Sequence, residues 1–165
     1  MTPMIRPASA GDRAAIHALV ERAFGQPLEA DLVDRLAADG DAVLELVAET
    51  DGRIVGHVLF SRLLVDGDGM LFPAVALAPL AVDPALQRAG IGSALVEEAH
   101  RRLAAAGEEL SVVLGDPAYY GRFGYRHERA RLFASDYQGD ALQALAWGAA
   151  PATGRLVYAA AFADL

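Results

Sequence analysis

The sequence has 165 residues, 54% of them apolar, which predicts a single domain over residues 1–165 with a buried core. Its net charge of −8 leaves little to bind phosphates, so we expect no nucleic acid partner. The absence of cysteine excludes disulfides and thiolate chemistry. The four histidines show no ligand spacing and no apolar run could span a membrane, so we expect no metal, no membrane partner and a cytoplasmic location.

The first half of the chain predicts two helices followed by three strands. A capping-box pattern at Ser9 precedes a helix over about 10–24, and leucines repeat every four residues in a second helix, LEADLVDRLAA. Asp51-Gly52 predicts a tight hairpin between AVLELVAET and RIVGHVLFSRLLV. After a turn at DGDG, MLFPAVALAPLAV is typical of a third strand, in which Pro79 predicts a bulge or a splay.

The second half alternates helices and strands. The segment ALQRAGIGS opens a long helix whose apolar face contains Ile91, Leu95, Ala99 and Leu103. ELSVVLG predicts a buried strand, DPAYYGRFG a turn of helix, and YRHERARLF another strand. ALQALAW fits a helix or a strand by pattern, but it is short for a helix before Gly148, so together with the strand-like GRLVYAAAF it favours a terminal hairpin. Strands and helices in this order around one sheet indicate an α/β or α+β fold.

Two glycines, Gly90 and Gly92, stand at the predicted start of the long helix. Free amides at a helix start attract anions, and glycine removes the side chain that would block a phosphate. The spacing does not fit the phosphate loop of NTPases, which needs a lysine where this chain has Ser93. It does not fit the dinucleotide fingerprint either, because Leu95 occupies the place of the third glycine. The segment therefore predicts another kind of diphosphate site.

The glycine segment QRAGIG at 87–92 resembles the Gln/Arg-x-x-Gly-x-Gly/Ala motif of the GNAT superfamily of acetyl-CoA-dependent N-acetyltransferases. About 28 residues downstream, YGRFGY at 120–125 resembles that family's Tyr-x-x-x-Gly-Phe/Tyr segment, and the GDPAYYGRFGY run is similar to a bacterial branch. The resemblance extends to the first helices and the hairpin, and it thins out after about residue 133. It implies the acyl-CoA N-acyltransferase fold, a mixed and mostly antiparallel sheet with two splayed strands, flanked by helices.

The resemblance also implies a function and a set of site residues. The expected reaction moves an acetyl group from acetyl-CoA, a co-substrate, to a primary amine of a small-molecule or peptide acceptor. Tyr120 matches the family's general acid, which protonates the departing thiolate. The expected coenzyme contacts come from the end of the third strand and from the glycine segment: Leu80, Ala81, Val82, Gln87, Arg88, Ala89, Gly90, Ile91, Gly92 and Ser93.

Two questions stay open at the level of sequence. The strand VALAPLAV contains no acid where several relatives keep a glutamate, so the general base is unassigned; Glu45, Glu49 and His57 are candidates, although each is more typical of a structural residue. The alternative function is a non-catalytic domain that binds or senses coenzyme A, or an interaction domain on the same fold. In that case the terminal hairpin could pair between subunits to form a homodimer.

Overall fold

The computed structural model describes residues 2–165, apart from the side chain of residue 164. The described residues form eight strands: β1 (Met4–Pro7), β2 (Ala42–Thr50), β3 (Arg53–Gly67), β4 (Met70–Val82), β5 (Leu110–Leu114), β6 (Phe133–Ala134), β7 (Leu142–Ala146) and β8 (Gly154–Val157). The helices are α1 (Arg13–Phe24), α2 (Leu28–Ala38), α3 (Ile91–Ala105) and two single turns, α4 (Pro117–Tyr120) and α5 (His127–Ala130). Short 3-10 turns occur at Ala10–Asp12, Pro84–Leu86, Gly121–Phe123 and Ala160–Asp164.

The strands form one mixed sheet with the order β1-β2-β3-β4-β5-β7. Among the described pairings, only β4 with β5 and β6 with β8 are parallel. The hairpin between β2 and β3 turns at Asp51 and Gly52, both with positive φ, as a type I′ turn requires. The predicted fold class, a mixed and mostly antiparallel sheet flanked by helices, is confirmed.

The helices cover opposite faces of the sheet. The long helix α3 packs on one face through Leu95, whose side chain is fully buried, while α1 and α2 cover the other face. Gly56 in β3 lets α3 approach closely, because a Cβ there would lie 2.8 Å from Ile91 Cγ2 and 2.9 Å from Leu95 Cδ1. The apolar face predicted for α3 is therefore the face that holds this helix on the sheet.

The strand predicted over YRHERARLF is wrong. Arg126 makes one isolated bridge to Ala144, and the chain then turns through α5 before the two-residue strand β6. The buried residues here are Tyr125, Ala130 and Phe133, and a straight strand would place Ala130 on the opposite side from the other two. A helical turn brings Ala130 and Phe133 into the same apolar cluster.

The terminal hairpin is also wrong, although both of its strands exist. β7 pairs with β5, and β8 pairs with the far half of β3. The reason is the length of β3: β2 pairs with it only as far as Ser61, so Leu64, Val65 and Asp66 keep an open edge that β8 fills. The strands β7 and β8, which are neighbours in the sequence, therefore pair with different strands of the sheet.

Candidate functional site

The parallel strands β4 and β5 part near the middle of the sheet. They pair only from Val75 with Ser111 to Leu77 with Val113. Beyond Leu77, a bulge at 78–79 shifts the register of β4 against β3. A bulge is one of the two irregularities that the sequence analysis expected at Pro79. The rest of β4, residues 78–82, has no partner strand on the β5 side among the described residues. Its main-chain groups on that side face the gap between the two strands.

The glycine segment forms a cavity beside this gap on the α3 side of the sheet, with a volume of about 750 Å³. The first helical bond of α3 runs from the Ala94 N–H to the Gly90 carbonyl, 3.0 Å, so the amides of residues 91–93 have no acceptor within the helix. Gly90 precedes the helix with φ of 87°, in the left-handed region. These amides form the N-terminal end of the helix dipole and suit an anionic ligand.

Most of the predicted coenzyme contacts lie around this cavity. Eight of the ten line it: Leu80, Val82, Gln87, Arg88, Gly90, Ile91, Gly92 and Ser93. Ala81 does not, because its side chain is buried on the opposite face, in the cluster under α1 and α2. Ala89 lines a smaller neighbouring hollow that also contains Gly90 and Ala94. The structure therefore brings the predicted set together and leaves these two alanine side chains outside it.

Two further residues in the cavity escaped the sequence analysis. Arg122 donates from Nη2 to Ser93 Oγ at 3.1 Å, and its guanidinium lies 4.6 Å from the centre of the Tyr119 ring. Tyr119 Oη reaches α3 so closely that a Cβ at Gly92 would lie 2.8 Å from it. With Arg88, Arg122 brings a second positive charge to this cavity. The signal for both was present in the run AYYGRFG, but nothing local to it indicates contact with α3.

Tyr120 lines a different cavity from its neighbour Tyr119. Its ring meets Tyr119 edge to face at 5.0 Å and Tyr125 at 6.0 Å. Gly115 makes room for it, because a Cβ at that position would lie 2.5 Å from the ring. Burial raises the pKa of Tyr120 to about 12, with a smaller contribution from Tyr119. The phenol is therefore protonated at neutral pH, as a proton donor must be.

A second cavity, of about 330 Å³, opens where β4 and β5 part. The end of β4, the end of β5 and Tyr120 form one side of it, while α1, α2 and the segments after β6 and β8 close the other. Leu80 lines both cavities, and the adjacent residues Tyr119 and Tyr120 line one cavity each. The two cavities thus share one lining residue, Leu80, at the gap between the strands, and the cavity on the α3 side has the larger share of charged and polar side chains.

The candidate bases from the sequence lie elsewhere. Glu45 accepts hydrogen bonds from His57 Nε2, 2.7 Å, and from Arg13, and it lines a hollow beside α1 and α2. Burial acts to raise the pKa of Glu45, but the hydrogen bonds and charges of His57 and Arg13 outweigh it and lower the pKa. Glu49 is paired with Arg6. None of Glu45, Glu49 and His57 lines either cavity at the gap.

One group of side chains has the composition of a cation site. His17, Asp31 and Asp34 place one ligand atom each within 4.8 Å of one another on the surface of α1 and α2. His17 Nδ1 lies 2.7 Å from Asp34 Oδ2. These residues are far along the fold from the glycine segment, and an exposed acidic pair beside a histidine is by itself ordinary surface chemistry.

Residues 4–127 match the acetyltransferase (GNAT) domain, which spans both the glycine segment and the YGRFGY segment. The chain belongs to the GNAT family. The uncharacterized N-acetyltransferase YhbS of Escherichia coli K12 is 42% identical over 115 residues, which cover 69% of this chain and 68% of YhbS. This GNAT protein is accordingly an N-acetyltransferase by family.

Solved structures agree with the assignment. The crystal structure of E. coli YhbS in complex with CoA superposes with a TM-score of 0.89 at 34% identity, over 99% of this chain and 93% of that one. A GNAT family acetyltransferase from Brucella melitensis in complex with acetyl-CoA superposes with a TM-score of 0.82 at 36% identity, over 96% and 97% of the two chains. Within the described part of this GNAT enzyme, no helix combines the length and apolarity needed to cross a bilayer.

Proposed function

We propose that residues 1–165 act as one catalytic domain that transfers acetyl from acetyl-CoA directly to a primary amine across the gap between β4 and β5. The observation that supports this proposal is the meeting of the two cavities at Leu80, with Tyr119 on the polar side and Tyr120 on the apolar side. A reaction between two bound molecules needs such a meeting point, because most of the gain comes from holding the reacting atoms together.

The polar cavity fits the coenzyme diphosphate. Amides of residues 91–93 without helical acceptors, the hydroxyl of Ser93, and the guanidinium groups of Arg88 and Arg122 are all donors that suit phosphate oxygens. Gln87 Nε2 donates to the Val82 carbonyl at 3.3 Å and closes the segment against the end of β4. Beyond this point, the unpaired edge of residues 78–82 offers main-chain groups to an extended ligand.

Bound acetyl-CoA would supply an acyl thioester. An ammonium acceptor first loses one proton to water, and the neutral amine then forms the C–N bond while the C–S bond breaks. The departing thiolate takes a proton from the Tyr120 hydroxyl, and the second proton lost by the nitrogen restores that hydroxyl, so that the products are the amide, the thiol and one proton in water. The main-chain N–H groups near Leu80 and Ala81 are the donors proposed to face the thioester oxygen, where negative charge develops. Tyr120 holds the proton proposed for the thiolate at Oη. No acid of the described lining other than Glu29 is within the apolar cavity, so we propose that the amine loses its proton to water.

The co-substrate and the net charge of the chain support proposals about the cellular location and the partners of the enzyme. Acetyl-CoA is an intracellular metabolite, so we propose that the enzyme works in the cytoplasm. The acidic chain, with a net charge of −8, favours an amine acceptor over a nucleic acid. A homodimer stays a prediction, and the terminal strands offer less support for it than the sequence suggested, because β7 and β8 are paired within the sheet.

The test is an assay of thiol release with purified protein, acetyl-CoA and a panel of primary amines. Binding of acetyl-CoA and of free CoA is measured separately by calorimetry. We expect micromolar binding together with amine-dependent thiol release. Binding of acetyl-CoA without turnover of any amine would contradict acetyl transfer and favour a sensing role. If the protein neither binds acetyl-CoA and CoA nor releases thiol, the proposed diphosphate site would be contradicted.

A further inference from the structure

We propose that the acceptor is a small apolar primary amine with a single positive charge, which binds in the 330 Å³ cavity between aromatic side chains and Glu29. This inference rests on the proposed function, because it names the acceptor class for the same site.

Five aromatic rings, from segments far apart in the chain, line the cavity together with a larger number of aliphatic side chains from β4, β5 and α2. Phe24 comes from the end of α1, and Tyr137, Tyr158 and Phe162 from the chain after β6 and β8. Tyr137 and Tyr158 meet edge to face at 5.3 Å, and Tyr158 and Phe162 lie 5.5 Å apart. Such a wall offers large apolar contact area with little loss of side-chain freedom on binding.

Part of this wall is exposed to solvent. Phe24 is 41% exposed, Leu114 49% and Tyr137 37%, although all three are large apolar side chains. Exposed apolar surface gathered around a cavity is typical of a ligand site, whereas isolated exposed residues are common on any protein. An apolar group of the ligand would remove this surface from water, which is the main source of affinity in such sites.

Glu29 supplies the charge. It is half-buried, and it is the only acidic or basic side chain among the lining residues that the structure describes, the phenols apart. Gln26 Nε2 donates to both of its carboxylate oxygens, at 3.0 and 3.1 Å, but no described basic side chain pairs with it. Glu45 and Glu108, which are similarly shielded, each pair with an arginine. The carboxylate of Glu29 thus has its negative charge available for a ligand ammonium.

Among the side chains of the described lining, the Glu29 carboxylate is the only anion, and it matches one ammonium group. The tyrosines add no charge at neutral pH, since burial raises the pKa of Tyr120 and that of Tyr158 to about 12. Each extra cation of a polyamine would enter an apolar cavity without a partner, which is strongly unfavourable. A neutral ligand would leave Glu29 unpaired. Charge complementarity therefore favours a monoamine.

The size of the cavity favours a small molecule over the surface of a folded protein. Its volume of about 330 Å³ lies at the lower end of the roughly 300–1,000 Å³ typical of small-molecule sites. A lysine side chain of a peptide could also enter it, with an aliphatic stem in place of a ring. A lysine peptide is therefore included in the test as a competing acceptor.

The test measures binding of four small-molecule probes and of one free lysine peptide to the protein saturated with CoA, which prevents turnover. The probes are 2-phenylethylamine, its uncharged analogue 2-phenylethanol, its small polar analogue ethanolamine, and the polycation spermidine. We expect 2-phenylethylamine to bind at least tenfold more tightly than each of the other three. A free lysine peptide should also bind at least tenfold more weakly. Equal or tighter binding of spermidine or of the peptide would overturn the inference.

Two variants assign the contributions within the site. Glu29→Gln should weaken 2-phenylethylamine at least tenfold, leave 2-phenylethanol unchanged, and leave CoA affinity unchanged. Asp31→Asn is the matched control, because Asp31 lies in the same first turn of α2 but does not line the cavity. Phe24→Ser should weaken both phenyl probes by a similar factor. An equal loss in Glu29→Gln and Asp31→Asn would overturn the role of Glu29.

Turnover then separates this inference from the proposed function. Thiol release with 2-phenylethylamine, at a kcat/KM at least tenfold above that with spermidine, supports both. Turnover of spermidine or of the peptide, without turnover of 2-phenylethylamine, overturns the acceptor class and leaves acetyl transfer intact. Tight binding of 2-phenylethylamine with no turnover of any amine contradicts acetyl transfer, while it supports the chemistry assigned to the cavity.

Discussion

The adjacent residues Tyr119 and Tyr120 have different surroundings, because each lines a different cavity. Tyr119 faces the polar cavity, where its hydroxyl approaches Gly92 and its ring lies under Arg122. Tyr120 faces the apolar cavity and packs against Gly115. Neighbouring positions in a helical turn point about 100° apart, so a single turn can serve both cavities. The helical turn α4 thus places one tyrosine in the lining of each cavity.

The first prediction concerns Tyr120→Phe. This change keeps the ring in place beside Gly115 and removes only the hydroxyl, so kcat should fall roughly 10²- to 10⁴-fold while CoA affinity stays within twofold. Steady-state kinetics and calorimetry measure the two quantities. Tyr119→Phe is the matched control, since its hydroxyl lies in the other cavity. Full activity of Tyr120→Phe would show that the residue only packs.

The second prediction is the pH dependence of kcat. Burial raises the pKa of Tyr120 to about 12, so the phenol keeps its proton throughout the range from pH 7 to 10. The rate should therefore be flat or should rise across this range, as more of the bound amine loses its proton. A fall of kcat with a midpoint below about pH 10 would contradict Tyr120 as the proton donor with this pKa, because loss of its proton would then set the limit.

The first turn of α3 contributes both to the stability of the helix and to the proposed binding of CoA, and a single substitution can separate these two roles. Ser93 is the third residue of the helix, where a negative charge interacts favourably with the helix dipole. The third prediction is therefore that Ser93→Asp leaves the free energy of unfolding unchanged or raises it by up to about 1 kcal/mol, while CoA affinity falls at least 30-fold. The new carboxylate would repel the diphosphate and would pair with Arg122, which now binds Ser93 Oγ.

Ser93→Ala is the control for this variant, because it removes the hydroxyl without adding charge. It should weaken CoA by a smaller factor than Ser93→Asp. Substitutions of the glycines are less informative, since a side chain at Gly92 would also displace Tyr119, and Gly90 has a left-handed φ of 87°. Calorimetry and urea unfolding measure affinity and stability. Unchanged CoA affinity in Ser93→Asp would contradict a diphosphate site at this helix.

The fourth prediction tests the packing of α3. Leu95 is fully buried between α3 and the sheet, in contact distance of the position where Gly56 lacks a side chain. Leu95→Ala should lower the free energy of unfolding by about 2 to 5 kcal/mol, because it removes buried methyl groups and leaves a cavity. Urea unfolding measures the loss. Ala94→Ser, on the exposed side of the same turn, should change stability much less.

Elements with strong local signals could be predicted from the sequence, and elements set by the rest of the sheet could not. The turn at Asp51-Gly52 and the bulge at Pro79 follow from backbone preferences of the residues themselves. The partner of β8 does not, because it depends on how far β2 extends along β3. The alternation of YRHERARLF favoured a strand, but burial of Ala130 with Phe133 favoured a helical turn.

The candidate site shows the same division. The glycine segment carries a spacing that is informative by itself, so the polar cavity could be predicted in outline. Arg122 and Glu29 could not be predicted, since each becomes part of a cavity only when distant segments meet. A charged residue on a helical turn has no local feature that separates a solvent-exposed role from a ligand contact.

At the scale of the whole molecule, the sheet separates two kinds of chemistry. Its α3 face presents arginines and free amides, although the chain as a whole carries a net charge of −8. The cavity toward α1 and α2 presents aromatic rings and one carboxylate. These two surfaces are complementary to the proposed anionic donor and the proposed cationic acceptor, which would meet at the gap between β4 and β5.

A partly buried histidine on α3, His100, links the stability of the whole fold to pH. His100 lies among aromatic rings, with centroid distances of 6.1 Å to Phe60, 5.3 Å to Tyr125 and 5.2 Å to Trp147. Its Nε2 lies 3.0 Å from Tyr125 Oη, which in turn lies 2.7 Å from Ser111 Oγ. Burial lowers the pKa of His100 from 6.5 to about 4. The folded protein therefore holds this ring neutral.

The fifth prediction is that stability falls between pH 6.5 and pH 4 in part because of His100. Below pH 6.5 the unfolded chain binds a proton that the folded chain accepts only near pH 4, so the free energy of unfolding decreases as pH falls through this window and levels off below it. The drop in pKa corresponds to at most roughly 3 kcal/mol. His100→Gln keeps a donor for Tyr125 Oη but does not titrate, so its stability should fall less steeply over the same window, even if it is lower at pH 7. Urea unfolding at half-unit pH steps measures both slopes, and parallel curves for the two proteins would show that His100 is not the group responsible.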